Sequence, residues 1–120
     1  MALDLDDWLR RYGDAWAARD GDAAASLFSE DAAYCWGPFA EPLVGHVAIR
    51  DRWNAATADL EDVRFRAEAI GRDGARRFVR WRVELREPGQ ASVALDGVFV
   101  LDFADDGRCS RLQEWWMVRP

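Results

Sequence analysis

Two segments, FSEDAAY at residues 28–34 and GHVAIRDRW at residues 45–53, decide the fold of this chain. The first segment ends a helical pattern at Phe28 and continues as a short strand. A loop that contains Pro42 follows, and Gly45 then marks the start of another helix. A helix, a strand, an irregular loop and a second helix in this order favour an α+β domain with helices packed on one sheet.

The N-terminal part of the chain has the spacing of an amphipathic helix over about residues 4 to 19. Gly21 is predicted to end this helix, and Asp22 is predicted to cap a short helix that runs to Phe28. A third helix is predicted from about residue 46 to 60. One of its faces carries the apolar residues Ile49, Trp53, Ala56 and Leu60.

The second half of the chain is typical of antiparallel strands, because Asp73-Gly74, Pro88-Gly89 and Asp106-Gly107 separate alternating apolar runs. Asp96-Gly97 interrupts one of these runs and is predicted to form a bulge or bend. The alternation puts one set of side chains on a common face of these strands, which we expect to be the inner face of the sheet: Val79, Trp81, Val83, Leu95 and Phe99.

Composition excludes several classes of protein. The 120 residues suffice for one domain, spanning 1–120, and the formal charge of −6 disfavours binding to nucleic acid. All 16 basic residues are Arg, so a Schiff-base lysine and a P-loop lysine are excluded. His46 is the only histidine, which leaves no His-rich metal site and no Ser-His-Asp triad elsewhere. No cofactor signature is present, so we expect neither a cofactor nor a metal.

The two cysteines and the N-terminus bear on location. Cys35 and Cys109 lack any paired spacing and are interpreted as reduced thiols of a cytosolic protein, with a disulfide as the alternative. The first seven residues are acidic, unlike a signal peptide, and no apolar run approaches the length of a membrane span. We therefore expect a soluble, cytoplasmic protein.

Further motifs add to the opening segments. Arg11-Tyr12 lies upstream, and Asp106-Gly107-Arg108 and Glu114-Trp115-Trp116 lie downstream. Together these residues resemble the nuclear transport factor 2-like superfamily, which contains ketosteroid isomerases, SnoaL-type polyketide cyclases and limonene epoxide hydrolases. The resemblance implies a cone in which a curved, mostly antiparallel sheet wraps around the first of three helices and encloses a pocket. It also implies a homodimer through the outer face of the sheet.

Glu114 is the carboxylate on an otherwise apolar face of the last strand, which it shares with Leu112, Trp116 and Val118. A carboxylate in such a position must be ion-paired, hydrogen-bonded or raised in pKa by desolvation. One hypothesis makes Glu114 a general acid/base inside the cavity. The alternative is a structural ion pair, for instance with Arg52 on the third helix.

Tyr12 lies on the predicted buried face of the first helix. The resemblance implies that its hydroxyl donates a hydrogen bond to a developing oxyanion; the alternative is a core tyrosine with a satisfied hydroxyl. The catalytic aspartate of the isomerases corresponds to Trp36 here, and their second carboxyl corresponds to Phe99. Steroid isomerisation by that mechanism is therefore not expected.

The seven tryptophans are numerous for a chain of this length. Trp8, Trp16 and Trp53 have helical spacing and are expected in the core. Nine residues are predicted to line the cavity and bind a ligand: Trp36, Phe39, Trp53, Trp81, Val83, Leu95, Phe99, Leu112 and Trp116. Such a lining could stack a planar aromatic or polyketide-like ligand, or hold an organic cation by cation–π contact and Glu114. The alternative is a cavity filled by its own aromatic side chains.

The outer face of the sheet mixes charged and apolar groups. Arg80 and Arg82 share it with a set that suits a partner surface better than open water: Val98, Val100, Trp115 and Met117. We therefore predict a homodimer whose two subunits contact each other through this face. The function predicted for the chain is that of a cofactor-independent cyclase, isomerase or dehydratase acting on a hydrophobic or aromatic metabolite. The alternatives are a non-catalytic ligand-binding domain and a dimeric scaffold.

Overall fold

Three helices pack on one six-stranded sheet in a computed structural model that describes residues 3–119. The elements, in chain order, are α1 (Leu5–Ala18), α2 (Gly21–Ala25), β1 (Phe28–Cys35), β2 (Leu43–Val44), α3 (His46–Thr57), β3 (Glu61–Asp73), β4 (Arg76–Arg86), β5 (Val93–Phe103) and β6 (Cys109–Val118). The strand order is β2-β1-β6-β5-β4-β3, with β1 parallel to β6 and the other described neighbours antiparallel. The predicted α+β class is confirmed, and none of the described helices has the length and apolar character needed to span a bilayer.

The prediction for α1 is confirmed, but the junction that follows it differs. Asp4 caps the helix by accepting a 3.1 Å hydrogen bond from the backbone N–H of Asp7, and Arg19 ends it in the left-handed region. Gly21 does not stop α1: it is the first residue of α2, and its N–H donates to the Asn54 side chain. The cap of α2 is Asp20, whose side chain accepts a 3.0 Å hydrogen bond from the backbone N–H of Ala23, whereas Asp22 lies within the helix.

The C-terminal ends of α2 and α3 come earlier than predicted. Phe28 belongs to β1, since α2 ends at Ala25. The third helix ends at Thr57 instead of residue 60. At this end of the helix, the Thr57 hydroxyl donates a 2.8 Å hydrogen bond to the carbonyl oxygen of Trp53. Leu60 then closes a turn that leads into β3.

The inward-facing register of the sheet is confirmed. Val79, Trp81, Val83 and Phe99 are at most 2% exposed, and Leu95 is half-buried. The guanidinium groups of Arg80 and Arg82 lie on the opposite face with about two-fifths of their side-chain surface exposed, at 43% and 41%. The inner face of the sheet is therefore the one that packs against α1, where Phe99 contacts Tyr12.

Of the bulge or bend predicted at Asp96-Gly97, the bulge is wrong, because Gly97 lies in a regular strand. β5 keeps unbroken register with both neighbours across this point, where Gly97 is opposite Trp81 on β4 and Trp116 on β6. A Cβ atom at this position would lie 2.8 Å from the indole ring of Trp81 and against the carbonyl oxygen of Trp115. The glycine therefore provides the space that Trp81 occupies on the inner face.

Tyr12 lies at the centre of the aromatic core. Its ring centroid is 5.1 Å from that of Trp53 on α3 and 5.3 Å from that of Phe99 on β5. Phe99 stacks in turn on Trp81, at 5.2 Å and 21°. Each such aromatic pair stabilises the fold by about 0.5 to 1.5 kcal/mol beyond the burial of its area. These contacts hold α1, α3 and the inner face of the sheet around one common space.

Both cysteines are buried free thiols, which agrees with the interpretation of reduced cysteines. Burial raises the pKa of the Cys109 thiol well above its ordinary value, so it is not an activated nucleophile. His46 bonds through Nε2 to the carbonyl oxygen of Phe28 at 2.7 Å and thereby ties the start of α3 to β1. The described residues contain no group of three or more His, Cys, Asp or Glu side chains that could hold a metal ion.

Candidate functional site

A cavity of about 230 Å³ lies between α1, α3 and the inner face of β1, β4, β5 and β6. Five indoles line it: Trp16, Trp36, Trp53, Trp81 and Trp116. Its polar groups include the hydroxyls of Tyr12 and Tyr34 and the carboxyls of Glu114 and Glu87. The space is therefore mainly aromatic, with its few polar side chains drawn from different elements.

Glu114 is the only charged residue in the buried core of the described chain, with 7% of its surface exposed. It lies on β6 opposite Phe99, and no hydrogen bond or ion pair reaches its carboxyl group from residues 3–119. Burial raises its pKa from 4.5 to about 8, because desolvation disfavours the carboxylate. Glu114 is thus largely a neutral acid at neutral pH, with its conjugate base accessible in a slightly alkaline range.

The alternative ion pair between Glu114 and Arg52 is not formed. The guanidinium of Arg52 instead lies over the ring of Trp36, with its central carbon 4.7 Å from the ring centroid. The carboxyl oxygens of Glu114 are not among the fully occluded, unpaired atoms of the described residues, so they retain contact with the cavity. Glu114 is therefore placed to meet a bound molecule.

Tyr12 and Tyr34 form a buried pair of hydroxyls. Their oxygen atoms are 2.6 Å apart, and the two residues are 1% and 3% exposed. One hydroxyl donates to the other, so one of the two protons remains free for another acceptor. Burial raises the pKa of both tyrosines well above 10, and the nearby Glu114 charge raises them further, so both stay protonated donors.

Tyr34 was missed in the sequence analysis, although a signal existed. Ala32 and Tyr34 alternate with more exposed residues along β1, which puts Tyr34 on the inner face. Trp16, which we had assigned to the core, also lines the cavity.

The indole nitrogens are not available to a ligand. The Nε1 atoms of four of the lining tryptophans have no hydrogen-bond partner and no accessible surface in the described structure: Trp16, Trp36, Trp53 and Trp81. The Nε1 of Trp116 donates to the carbonyl oxygen of Trp36 at 3.1 Å. The indoles therefore present ring carbon atoms to the cavity.

The sequence places this geometry in a known family. Residues 9–112 match the SnoaL-like domain. The chain belongs to the SnoaL-like family. Because this family is part of the nuclear transport factor 2-like superfamily, the chain belongs to that superfamily, as the resemblance implied.

Solved structures share the fold of this SnoaL-like domain at low sequence identity. The epoxide hydrolase/cyclase-like enzyme SalBIII, described for its role in pyran ring formation in the polyether salinomycin, has a TM-score of 0.77 and 20% identity, covering 93% of this chain and 89% of its own. A hypothetical protein with a ketosteroid isomerase-like fold from Catenulispora acidiphila, in complex with trimethylamine, has a TM-score of 0.78 and 17% identity, covering 91% and 84%. No curated protein matches the sequence.

Most of the predicted lining residues reach the cavity of the SnoaL-like domain. Five of the nine lie in its wall: Trp36, Trp53, Trp81, Leu95 and Trp116. Phe99 and Leu112 are 0% exposed and lie outside this lining, because Phe99 is covered by Tyr12 and Trp81. Val83 is buried and lies in the wall of a separate surface groove.

Phe39 was predicted to line the cavity, and this prediction is wrong. Its side chain is 99% exposed, in the loop between β1 and β2. Side chains alternate between the two faces of a strand only within that strand, and β1 ends at Cys35. Whether a residue number is odd or even therefore does not indicate which way the side chain at position 39 points.

The separate groove has a larger volume of about 660 Å³ but a different character. Its charged groups include Arg82 and Asp96, which pair with each other at 3.4 Å on the outer face. It holds no buried, unpaired titratable group among the described residues. The smaller aromatic cavity is therefore the candidate site.

Proposed function

We propose that this SnoaL-like domain is a cofactor-independent cyclase, isomerase or dehydratase that uses Glu114 as its acid/base group. The observation that carries the proposal is the unpaired carboxyl of Glu114, which is buried and in contact with an aromatic cavity. A pKa of about 8 keeps both protonation states within reach near neutral pH, as efficient proton transfer requires. Cyclisation, isomerisation and dehydration share this need for a proton to be removed at one atom and returned at another.

The reaction we propose needs only groups that line the cavity. The Glu114 carboxylate removes a proton from a carbon next to a substrate carbonyl, and the electron pair moves onto the carbonyl oxygen. The Tyr12–Tyr34 pair donates its free hydroxyl proton as a hydrogen bond to the developing enolate oxygen. Glu114 then returns the proton to the substrate, so that the catalyst is regenerated without an external reactant.

The volume of the cavity limits the substrate. Sites for drug-sized ligands occupy about 300 to 1,000 Å³, whereas this cavity holds about 230 Å³. A compact hydrophobic metabolite, or the reacting end of a longer polyketide-like chain, fits this space. We infer that the sheet and α1 enclose it as the cone of the superfamily does, and the fold shared with SalBIII, an enzyme linked to pyran ring formation, supports the cyclase alternative.

A second candidate is a non-catalytic ligand-binding domain. The lining is mainly aromatic carbon with a single free hydroxyl proton from the tyrosine pair, so the cavity could hold a ligand without changing it. An activity measurement separates these two candidates.

The experiment uses a panel of small β-diketones and hydroxyketones in D₂O, followed by proton NMR. We expect the wild type to accelerate exchange of the α-protons, or cyclisation or dehydration of one compound, and Glu114→Gln to lose on the order of 100-fold of this rate. Asp96→Asn, which removes a carboxylate on the opposite face of the sheet from the cavity, is the matched control and should keep the rate. An equal rate in wild type and Glu114→Gln would refute the catalytic proposal.

We further propose that the protein is a homodimer through the outer sheet face. Trp115 and Met117 are 44% and 76% exposed on this face, on β6, beside the exposed ion pairs that join β4 to β5. Burying these apolar groups would favour association. Sedimentation at micromolar concentration should give a dimer, and Met117→Glu should give a monomer; a wild-type monomer would contradict the proposal.

A further inference from the structure

The charge of the cavity lining is one-sided. Glu114 and Glu87 contribute carboxyls, and none of the 16 arginines lies in the described lining. Arg52 is outside this lining, and its guanidinium lies over the ring of Trp36. A negatively charged ligand would therefore meet two acidic groups and no basic partner within the cavity.

The lining offers a ligand aromatic carbon and one accessible buried carboxyl. Four indole nitrogens are occluded, and that of Trp116 is bonded to a backbone carbonyl. Ring carbon attracts cations because the face of an aromatic ring carries partial negative charge. Tyr12 and Tyr34 add two phenol rings and only one free hydroxyl proton, which makes the lining poor in donors for an oxygen-rich neutral ligand.

We propose that the ligand of this cavity carries a small alkylammonium group, which lies among the indoles and pairs with the carboxylate of Glu114. A neutral apolar ligand would leave Glu114 without a partner in a dry environment, whereas an ammonium ion supplies the missing counter-charge. This inference rests on the proposed function only in that the aromatic cavity is the ligand site. It also gives the acid/base group a switch, since the cationic substrate itself converts Glu114 into its basic form.

Binding is then coupled to release of a proton. The empty site holds Glu114 mainly as a neutral acid at pH 7, and the bound cation requires the carboxylate, so one proton leaves to solvent. The other ionisable groups around the cavity are the two tyrosines on α1 and β1, Glu87 after β4 and Arg52 on α3. Burial keeps both tyrosines protonated, and Glu114 is the buried carboxyl with which the cation would pair, so Glu114 is the group that releases the proton.

Three probes of one shape test the inference. Choline is a cation, 3,3-dimethylbutan-1-ol is its neutral carbon analogue and 3,3-dimethylbutanoate is an anion of similar size. Calorimetric titration of the full chain at pH 9 should show choline bound at least about tenfold more tightly than the alcohol, with the anion weakest. Below pH 8 the affinity for choline should fall by about tenfold per pH unit, while that for the alcohol stays constant.

Glu114→Gln keeps the shape of the side chain and removes its charge. In this variant the preference for choline over the alcohol should become several-fold smaller at pH 9, because only the cation–π contact with the aromatic rings remains, and Asp96→Asn should keep the full preference. Titration at pH 7 in two buffers of different ionisation enthalpy should show release of close to one proton per choline by the wild type and none by Glu114→Gln. The wild type at pH 6, where Glu114 is neutral, provides the same comparison if the variant does not fold.

Several results would overturn the inference. Equal affinity for choline and the alcohol in the wild type would do so, and would leave the proposed function intact as that of a site for a neutral ligand. A preference for choline that is equally strong in wild type and Glu114→Gln would exclude the pairing. Absence of binding by all three probes would also overturn it, while the proton-exchange assay decides the proposed function separately.

Discussion

The carboxyl groups of Asp96 and Asp102 on the outer face of the sheet are paired with arginines, whereas the carboxyl of Glu114 on the inner face is buried and unpaired among the described residues. On the outer face, Asp96 pairs with Arg80 at 2.8 Å and with Arg82 at 3.4 Å. On the inner face, Glu114 has no partner among the described residues. The hydrogen bond from Arg80 is the main cause of a lowered pKa at Asp96, whereas burial raises the pKa of Glu114 to about 8.

The difference teaches how to separate structural from functional charge in this protein. Asp102 on the outer face is held by two hydrogen bonds from Arg76, at 2.7 and 3.2 Å, so its charge is satisfied within the chain. Glu114 is desolvated and unsatisfied, a state that costs stability and persists at sites that bind or react. The carboxylates of Asp96 and Asp102 on the outer face are therefore satisfied within the chain, whereas the carboxyl of Glu114 on the inner face is left for the ligand that we propose.

The largest effect that we expect is on the pH dependence of stability. A pKa raised above the unfolded value contributes stability that is fully present below pH 4.5 and is lost as the pH rises through about 8. Glu114→Gln removes this dependence and should be more stable than wild type at pH 9, by on the order of 4 kcal/mol. Urea unfolding of both proteins at pH 5, 7 and 9 measures the difference, and a variant that is less stable at every pH would instead indicate a structural ion pair.

The next largest effect is expected at Gly97, where the backbone of β5 lies against the ring of Trp81 on the inner face. Gly97→Ala would place a Cβ atom 2.8 Å from the ring of Trp81 and against the Trp115 carbonyl. The resulting displacement of Trp81 should destabilise the fold by about 1 to 3 kcal/mol and alter the cavity. Gly37→Ala is the matched control, because its added Cβ meets no atom within 4 Å. Equal melting temperatures of the two variants would show that the inner wall adapts without cost.

A smaller effect should come from the tyrosine pair on the inner side. Tyr12→Phe and Tyr34→Phe each leave one buried hydroxyl without its partner, at a cost of about 1 to 2 kcal/mol. The double variant should cost less than the sum, because no hydroxyl is then left unpaired. Chemical unfolding of the wild type, the two single variants and the double variant gives a double-mutant cycle. Strictly additive losses of unfolding free energy would mean that the two hydroxyls act independently.

The smallest effect is expected on the outer face. Asp96→Asn removes a solvent-exposed pair, so the melting midpoint at pH 7 should change by less than about 2 °C. Because the pKa of Asp96 is lowered, its contribution is present above pH 3.8 and disappears as the pH falls further. Thermal melts at pH 7 and pH 3 measure it, and a large loss at pH 7 would show that this pair supports the fold.

Periodicity in the sequence predicted the elements better than it predicted their ends. The alternation of Val79, Trp81 and Val83 correctly identified the inner face, because every second side chain of a strand shares one environment. The junction at Asp20 and Gly21 was mispredicted, because Asp20 and Asp22 on either side of Gly21 are both of a residue type that caps helices, and only the backbone geometry distinguishes them.

The candidate site was predicted in part for the same reason. Strand and helix periods placed Glu114 and Tyr12 toward the interior. Phe39 was placed wrongly because it lies in a loop, where no period applies. Tyr34 was overlooked because its importance arises from a contact with Tyr12, 22 residues away in the chain.

The sequence by itself determined the α+β class, the family, the inner register of the sheet and the presence of one carboxylate among apolar neighbours. Only the tertiary structure decided that Arg52 stacks on Trp36, that Tyr34 meets Tyr12 and that Gly97 makes room for Trp81. The physical reason is that a periodic pattern states which side of its own element a residue faces. Which groups from other elements meet it there depends on how the elements pack, and this packing leaves Glu114 buried without a counter-charge.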